Sequence, residues 1–246
     1  MPLLEVERVS KSFGGVRAVH EVSFTLEEGE LLGIMGPNGS GKTTLFNLIA
    51  GAQRPDRGRI RLRGHDIAGR APHRICAAGV ARTFQLVRPF AGLSARENVL
   101  VALLYGRARR TTSDPIAEAE RLLARVGLEH RGRIPASQLT LVDRKRLELA
   151  RALATAPHLL LLDEFMAGLT PAETADAMTL VRRLQAEGMT VLMVEHIVWA
   201  LMDLCRRIVV LSAGEKIADD TPGVVAADPN VIDVYLGGEA ERRSHR

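Results

Sequence analysis

The sequence predicts an α/β fold with a largely parallel sheet, its core split by a helical insertion, and three observations carry that reading. Short apolar runs of strand length alternate with stretches of helical periodicity. One of these runs, Leu31 to Met35, ends in a glycine-rich turn that leads straight into a helix. The alternation lapses between about residues 86 and 157 and resumes after Pro157.

Taken in order, residues 3–9 and 16–26 read as N-terminal strands, and 31–35 as a short buried strand. Beyond the glycine turn, Leu45, Leu48 and Ile49 fall at helical spacing, with Gly51 as a natural C-terminal stop. The stretch 86–157 is helical and arginine-rich, with helix starts at Ser94-Ala95-Arg96-Glu97 and Asp114-Pro115. From Pro157 on, 159–162 is a buried strand, Thr170-Pro171-Ala172-Glu173 caps a helix, and 190–194 is another strand. A helix through Trp199 and Leu204, a strand over 208–211 and a turn at Gly214 follow, and 239–246 reads as a frayed tail. There is no internal repeat and no low-complexity segment.

Composition narrows the function classes. The chain has 246 residues, 33 Lys+Arg against 29 Asp+Glu and a net charge of +4; 46% hydrophobic and 25% charged residues are enough for a sizeable core and exclude a disordered chain. The longest uncharged apolar stretches, 189–194 and 99–105, fall far short of the roughly 20 residues of a membrane-spanning helix. The first ten residues carry Glu5, Glu7 and Arg8 and lack a secretory h-region, so a cytosolic chain is expected. Cys76 and Cys205 form neither a metal nor a redox spacing. The sequence pI near 9.5 raises nucleic acid as a partner. The basic excess is nonetheless scattered in short pairs such as Arg182-Arg183 and Arg206-Arg207, and its densest cluster, Arg107, Arg109 and Arg110, reads as a solvated loop. No nucleic-acid partner is expected.

The turn after the 31–35 strand, Gly36-Pro37-Asn38-Gly39-Ser40-Gly41-Lys42-Thr43, is a full match to G-x-x-x-x-G-K-[ST]. Glycines are needed there because backbone N–H groups must converge on a polyphosphate without Cβ atoms in the way, and the helix that follows presents its positive end to the same anion. Lys42 can bridge terminal phosphates and the Thr43 hydroxyl can take a place on Mg²⁺, with Thr44 next in the same helical turn. A glycine-rich turn without a ligand is the competing reading, and the strand before and helix after disfavour it. Leu159-Leu160-Leu161-Leu162-Asp163-Glu164 is a buried strand ending in two carboxylates. Asp163 can hold Mg²⁺ through its water shell, and Glu164 can polarise an attacking water. Alone this is a weak signal; downstream of a complete phosphate loop it is a strong one.

Together these motifs resemble the nucleotide-binding subunit of an ABC transporter, and the resemblance runs over nearly the whole chain. It implies a single ATP-binding domain: a P-loop NTPase core with an N-terminal antiparallel β subdomain over 1–85 and 158–238, and an inserted helical subdomain over 86–157. It implies ATP and Mg²⁺ as cofactors. Phe13, in Lys11-Ser12-Phe13-Gly14-Gly15, would stack on adenine. Gln85, in Ala81-Arg82-Thr83-Phe84-Gln85, would be the Q-loop glutamine that senses the metal and γ-phosphate and couples to the membrane partner. His196, directly after Glu195, would be the switch histidine. Each has a simpler alternative: a core phenylalanine, a loop amide, a helix-capping histidine. Their order around the two phosphate motifs favours the functional roles.

Within the family, three stretches look like the branched-chain amino acid importers, with the lipopolysaccharide-export ATPase as a close cousin. They are Gly79-Val80-Ala81-Arg82-Thr83-Phe84-Gln85, the Ser94-x-x-Glu97-Asn98-Val99 helix start, and the ending Val231-Ile232-Asp233-Val234-Tyr235-Leu236-Gly237-Gly238. The substrate class rests on this resemblance alone, because substrate selection in such systems lies in separate permease and binding-protein chains.

Two motifs depart from the family. Its signature is usually Leu-Ser-Gly-Gly-Gln, whose backbone and serine bind the γ-phosphate held by the opposite subunit, and here it reads Leu139-Thr140-Leu141-Val142-Asp143. Thr140 can still cap the helix with Asp143 at its third position. Leu141 and Val142 put side chains where close backbone approach is wanted, and the Asp143 carboxylate is a poor neighbour for phosphate unless it turns into the cap. The D-loop, Ala167-Gly168-Leu169-Thr170, ends in Thr rather than Asp or Asn.

The expectation is an ATPase that energises a membrane importer for branched-chain amino acids or a related small solute. It pairs with a second ABC ATPase subunit, as a homodimer or heterodimer, and docks transmembrane permease subunits through the groove near Gln85 and 86–98, where Pro89 and Phe90 offer contact surface. It sits peripherally on the cytoplasmic face of the inner membrane. The alternatives are an ATPase of a lipopolysaccharide-export-like system and a weakly hydrolytic subunit of a heterodimer. More distant rivals are a non-hydrolytic scaffold, an ABC ATPase acting on nucleic acid, and a P-loop kinase.

Overall fold

The computed structural model describes residues 2–85, 87–106 and 113–235. The arginine cluster at 107–110, Leu86 and the end of the C-terminal motif from residue 236 lie outside the described residues. The chain divides into two compact units, Met1–Pro72 with Thr190–Arg246, and His73–Met189.

In the first unit, β1 (Leu4–Phe13) and β2 (Val16–Leu26) form an antiparallel hairpin. Its two-residue turn is Gly14-Gly15, both at positive φ, the geometry that matches the twist of the flanking strands. β1 runs four residues further than the apolar pattern indicated, because Asp56 accepts from Lys11 Nζ at 2.7 Å and from the Ser12 N–H at 2.8 Å. That anchor carries Phe13 to the strand end. β4 (Arg57–Leu62) pairs antiparallel with the other edge of β1, and β5 (His65–Asp66) pairs with β4. These strands were not visible in the sequence because β4 reads Arg-Gly-Arg-Ile-Arg-Leu, with only Ile60 and Leu62 buried.

The same unit holds β3 (Leu31–Met35), flanked by two parallel partners, β8 (Thr190–Val194) and β9 (Arg207–Ser212). β10 (Glu215–Asp220) closes the outer edge antiparallel to β9. Every residue of β3 and β8 is buried, as expected for strands covered on both faces. Helix α1 (Lys42–Ile49) follows the glycine turn after β3, and α7 (Val198–Leu204) lies between β8 and β9 in the chain. A Cβ at Gly33 would stand 2.9 Å from Cys205 Sγ, so the missing side chain there lets the segment after α7 close on β3.

In the second unit, the short β6 (Val80–Arg82) pairs parallel with β7 (Leu159–Asp163), all of which is buried. Between them in the chain come α3 (Ala95–Tyr105), α4 (Pro115–Arg125), and α5 (Leu141–Ala154), with α6 (Pro171–Ala186) after β7. The helix starts are those the sequence marked. Ser94 and Thr170 form capping boxes with Glu97 and Glu173, and Asp114 caps α4 through the N–H groups of Ile116 and Ala117. Val99, Leu103, Leu122, Leu123, Leu147 and Leu149 are buried.

Candidate functional site

In the first unit, the phosphate loop is held open by backbone geometry that only glycine takes without strain. Gly36, Gly39 and Gly41 have φ of 152°, 80° and 103°. A Cβ at Gly36 would lie 2.1 Å from the Leu211 carbonyl oxygen, and one at Gly41 2.2 Å from that of Ala18. A Cβ at Gly39 would meet nothing within 4 Å, so the space on that side is open. The start of α1 has Gly41 as its N-cap, no side-chain cap and no acidic residue in its first turn. Its positive end is therefore not neutralised by a capping side chain or a first-turn carboxylate.

Lys42 is 5% exposed and donates from Nζ to the carbonyls of Gly36 at 2.7 Å and Pro37 at 2.8 Å. Its ammonium thus lies folded over the loop. Thr43 is exposed in the first turn and Thr44 is half-buried. The loop is braced from outside by the Gly214 N–H on the Ser40 carbonyl. Tyr235, named in the sequence only as part of the C-terminal motif and given no role there, receives a hydrogen bond from the Gly36 N–H; burial raises its hydroxyl above the usual tyrosine range and that bond partly offsets the rise. Phe13 is 44% exposed and no core residue, with the Lys11 ammonium 5.4 Å from its ring centre. His196 is exposed in the bend after β8, and the N-cap of α7 is its neighbour Ile197.

In the second unit, β7 delivers Asp163 and Glu164, both buried, to the end of the segment that follows β6. Gln85 Nε2 donates to Glu164 Oε2 at 2.6 Å. Arg82 Nη2 donates to Asp163 Oδ2 at 2.6 Å, and Thr83 Oγ1 accepts from the Asp163 N–H. Glu164 has φ +48°, a left-handed conformation rare for a residue with a side chain and one that clusters at functional sites. Its carbonyl accepts from Lys145 Nζ at 3.3 Å. The Phe84 N–H donates to Glu148 Oε1 at 3.1 Å. Arg82, Lys145 and Glu148 were not among the residues the sequence singled out; only the regular helical spacing of the last two along α5 hinted at a shared face.

The altered signature keeps a capped helix start. Thr140 Oγ1 accepts from the Asp143 N–H at 3.2 Å. The Asp143 carboxylate does not close the cap in return; its Oδ2 lies 3.3 Å from Arg131 Nη1. Leu141 is 49% exposed at the first helical position and Val142 is half-buried. In the D-loop, Thr170 is an N-cap with its carboxylate partner Glu173 in place.

Residues 19–167, more than half of the chain, match the ABC transporter family profile. The chain belongs to this family. It is a transport ATPase of the ABC type, and residues 215–241 match a second profile, the branched-chain amino acid ATP-binding cassette transporter. Among its relatives, the high-affinity branched-chain amino acid transport ATP-binding protein BraF of Pseudomonas aeruginosa is 40% identical, with 96% of this chain and 98% of BraF covered. LivG of Escherichia coli, which bears the same description, is 38% identical over the same shares. Among solved structures, the ADP conformation of MJ1267, an ATP-binding cassette of an ABC transporter, superposes with a TM-score of 0.87 at 30% identity, covering 96% of this chain and 99% of that one. A dimeric post-hydrolysis state of the cassette MJ0796 with ADP and Pi gives 0.79 at 26% identity, covering 89% and 98%. None of the helices among the described residues is long and apolar enough to cross a membrane.

Proposed function

We propose that this ABC ATPase powers an importer for branched-chain amino acids or a related small solute, working as a dimer with a second ATPase subunit on the cytoplasmic face of the membrane, against permease subunits. The observation that supports the mechanism is the 2.6 Å hydrogen bond between Gln85 and Glu164, which joins the amide proposed to sense the metal to the carboxylate proposed to polarise water. The relatives BraF and LivG support the solute class.

The donor chemistry that each unit offers by itself suits Mg-ATP. Thr43 offers a hydroxyl, Asp163 a carboxylate and Gln85 an amide oxygen, the hard oxygen donors that Mg²⁺ takes alongside phosphate and water. When bound, Mg²⁺ neutralises charge on the β- and γ-phosphates. The chain does the rest. The N–H groups of Gly39 and of Gly41 through Thr44 would cradle the polyphosphate, and Lys42 would exchange the Gly36 and Pro37 carbonyls for terminal phosphate oxygens. Phe13 stacks on the adenine. In this reading Glu164 would accept a hydrogen bond from the attacking water, His196 would be the residue that orients it, and Gln85, once released from Glu164, would offer its amide oxygen to the metal. The start of α5, from Thr140 to Asp143, meets the γ-phosphate held by the other subunit. Residues 86–157 are the helical subdomain that carries this surface, and the segment around Gln85 faces the permease.

A second reading, a weakly hydrolytic member of a heterodimer, is favoured by the exposed Leu141 side chain at the start of α5, where the family has a small residue. Transport tests the solute class. The chain, its permease and its binding protein would be placed in cells lacking high-affinity uptake of leucine, isoleucine and valine. Uptake that is lost in Glu164→Gln supports the proposal; uptake of none of the three, with ATP hydrolysis intact, rejects the solute class.

A further inference from the structure

Three side chains one turn apart on α5 reach the two segments that bear Gln85 and Glu164. Lys145 Nζ donates to the Glu164 carbonyl at 3.3 Å. Glu148 Oε1 accepts from the Phe84 N–H at 3.1 Å. Arg151 donates to the Arg88 carbonyl at 3.2 Å and lies 4.9 Å from the ring centre of Phe90. Spacing of three residues keeps all three on neighbouring turns of one helix face. They grip the chain immediately before Gln85, three residues after it, and at Glu164 itself. The same helix begins at Thr140, so one rigid element of 14 residues joins the start of the signature to both ends of the Gln85 segment.

We infer that Glu148 and Arg151 are positioning residues that make Gln85 follow the signature helix. The inference rests on the ATPase reading for Gln85 and Glu164 and deepens it. Neither side chain touches the reacting atoms; both act through the backbone of residues 84 and 88. Glu148 is suited to this because it is 7% exposed, so its bond to the Phe84 N–H is shielded from competing water. Burial pushes its carboxyl up to about 7, against the lowering effects of the Phe84 N–H, Arg151 and Lys145, and the hydrogen bond can be accepted by either protonation form. Burial also lowers the Arg151 guanidinium, with the charge of Glu148 opposing the shift. If α5 shifts when its N-terminus meets a phosphate, the bonds at 84 and 88 carry that displacement to Gln85, whose amide then stays on Glu164 or leaves it.

The test uses the full chain with Glu148→Leu, Glu148→Gln and Arg151→Met, each alone and with Gln85→Ala. Two readouts are taken: the kcat and KM of ATP hydrolysis, and amide hydrogen exchange of residues 83–90 without nucleotide. Expected for Glu148→Leu is a fall in kcat of roughly tenfold, the size of a lost hydrogen bond to a charged group, with KM for ATP nearly unchanged. Glu148→Gln, which keeps an acceptor oxygen, restores kcat. In the Gln85→Ala background the Glu148→Leu loss disappears, since both act along one route. Exchange at 83–90 rises in Glu148→Leu and Arg151→Met while that of β3 and β8 stays as in the wild type. A kcat loss that multiplies with that of Gln85→Ala, or unchanged exchange at 83–90, overturns the inference. If Glu148→Leu does not fold, Glu148→Gln and Arg151→Met decide it by the same measures. A wild type that binds ATP without turnover refutes the ATPase reading, and the exchange readout then decides the α5 linkage separately.

Discussion

Arg82 and Asp163 form a buried ion pair at 2.6 Å, their side chains 10% and 5% exposed. The carboxylate proposed to face Mg²⁺ is thus already balanced by the chain's own guanidinium, from the strand that leads to Gln85. A charge buried with its partner is tolerated; one left alone is costly. Arg82→Met is therefore expected to destabilise the protein by about 3–5 kcal/mol, as breaking one side of a buried pair does. Adding Asp163→Asn should recover most of that loss. Urea unfolding of the two variants checks it, and a single variant as stable as the wild type would show the pair to be of no consequence.

The two ends of the phosphate loop should respond differently to one methyl group. At Gly36 a Cβ would meet the Leu211 carbonyl at 2.1 Å, so Gly36→Ala is expected to distort the loop and lower the melting temperature. At Gly39 the space is open, and the positive φ alone costs an alanine roughly 1 kcal/mol. Gly39→Ala is expected to stay folded yet bind ATP more weakly, because the methyl enters the space proposed for phosphate. Nucleotide titration and thermal melts of both variants separate the two effects.

Stability should vary with pH through Glu148. Its carboxyl titrates near 4.5 in the unfolded chain and is raised to about 7 in the fold by burial, against the lowering effects of the Phe84 N–H, Arg151 and Lys145. Between these values the folded state holds a proton that the unfolded state has released, so stability falls as pH rises through that window. The contribution is complete below 4.5 and gone above about 7. Glu148→Gln has no such proton, and its melting temperature relative to the wild type should rise from pH 4.5 to 7. A constant difference across this range would contradict the assignment.

The signature can be restored in part. Leu141→Gly with Val142→Gly removes the exposed Leu141 side chain and the bulk beside it, at a helix cost of about 1 kcal/mol for each new glycine. Faster hydrolysis by the chain at high concentration is expected, since the α5 N-terminus could then approach phosphate more closely. Unchanged turnover would mean that Leu141 and Val142 do not limit it.

Much of this architecture was legible in the sequence because local rules and tertiary packing agree there. The β3 strand, the glycine turn and the caps at Ser94, Thr140 and Thr170 follow from spacing and side-chain chemistry and stand where expected. What escaped notice depends on long-range partners. β4 is a strand because β1 pairs with it, despite its three arginines. Arg82 and Glu148 acquire their interest only when the fold brings them to Asp163 and to the Phe84 N–H, 81 and 64 residues away in the chain. The Asp143 carboxylate had two outcomes open on sequence grounds, and the nearby Arg131 shows which one the fold takes.

The central claim is that Glu164, the carboxylate proposed to polarise water, drives ATP hydrolysis by this chain in a dimer. Its most direct test is Mg-ATP hydrolysis by the purified chain across a range of its own concentration, with Glu164→Gln as the blank. The expected result is a rate that rises faster than linearly with concentration and vanishes in the variant. A rate linear in concentration, or equal in the wild type and the variant, would contradict it.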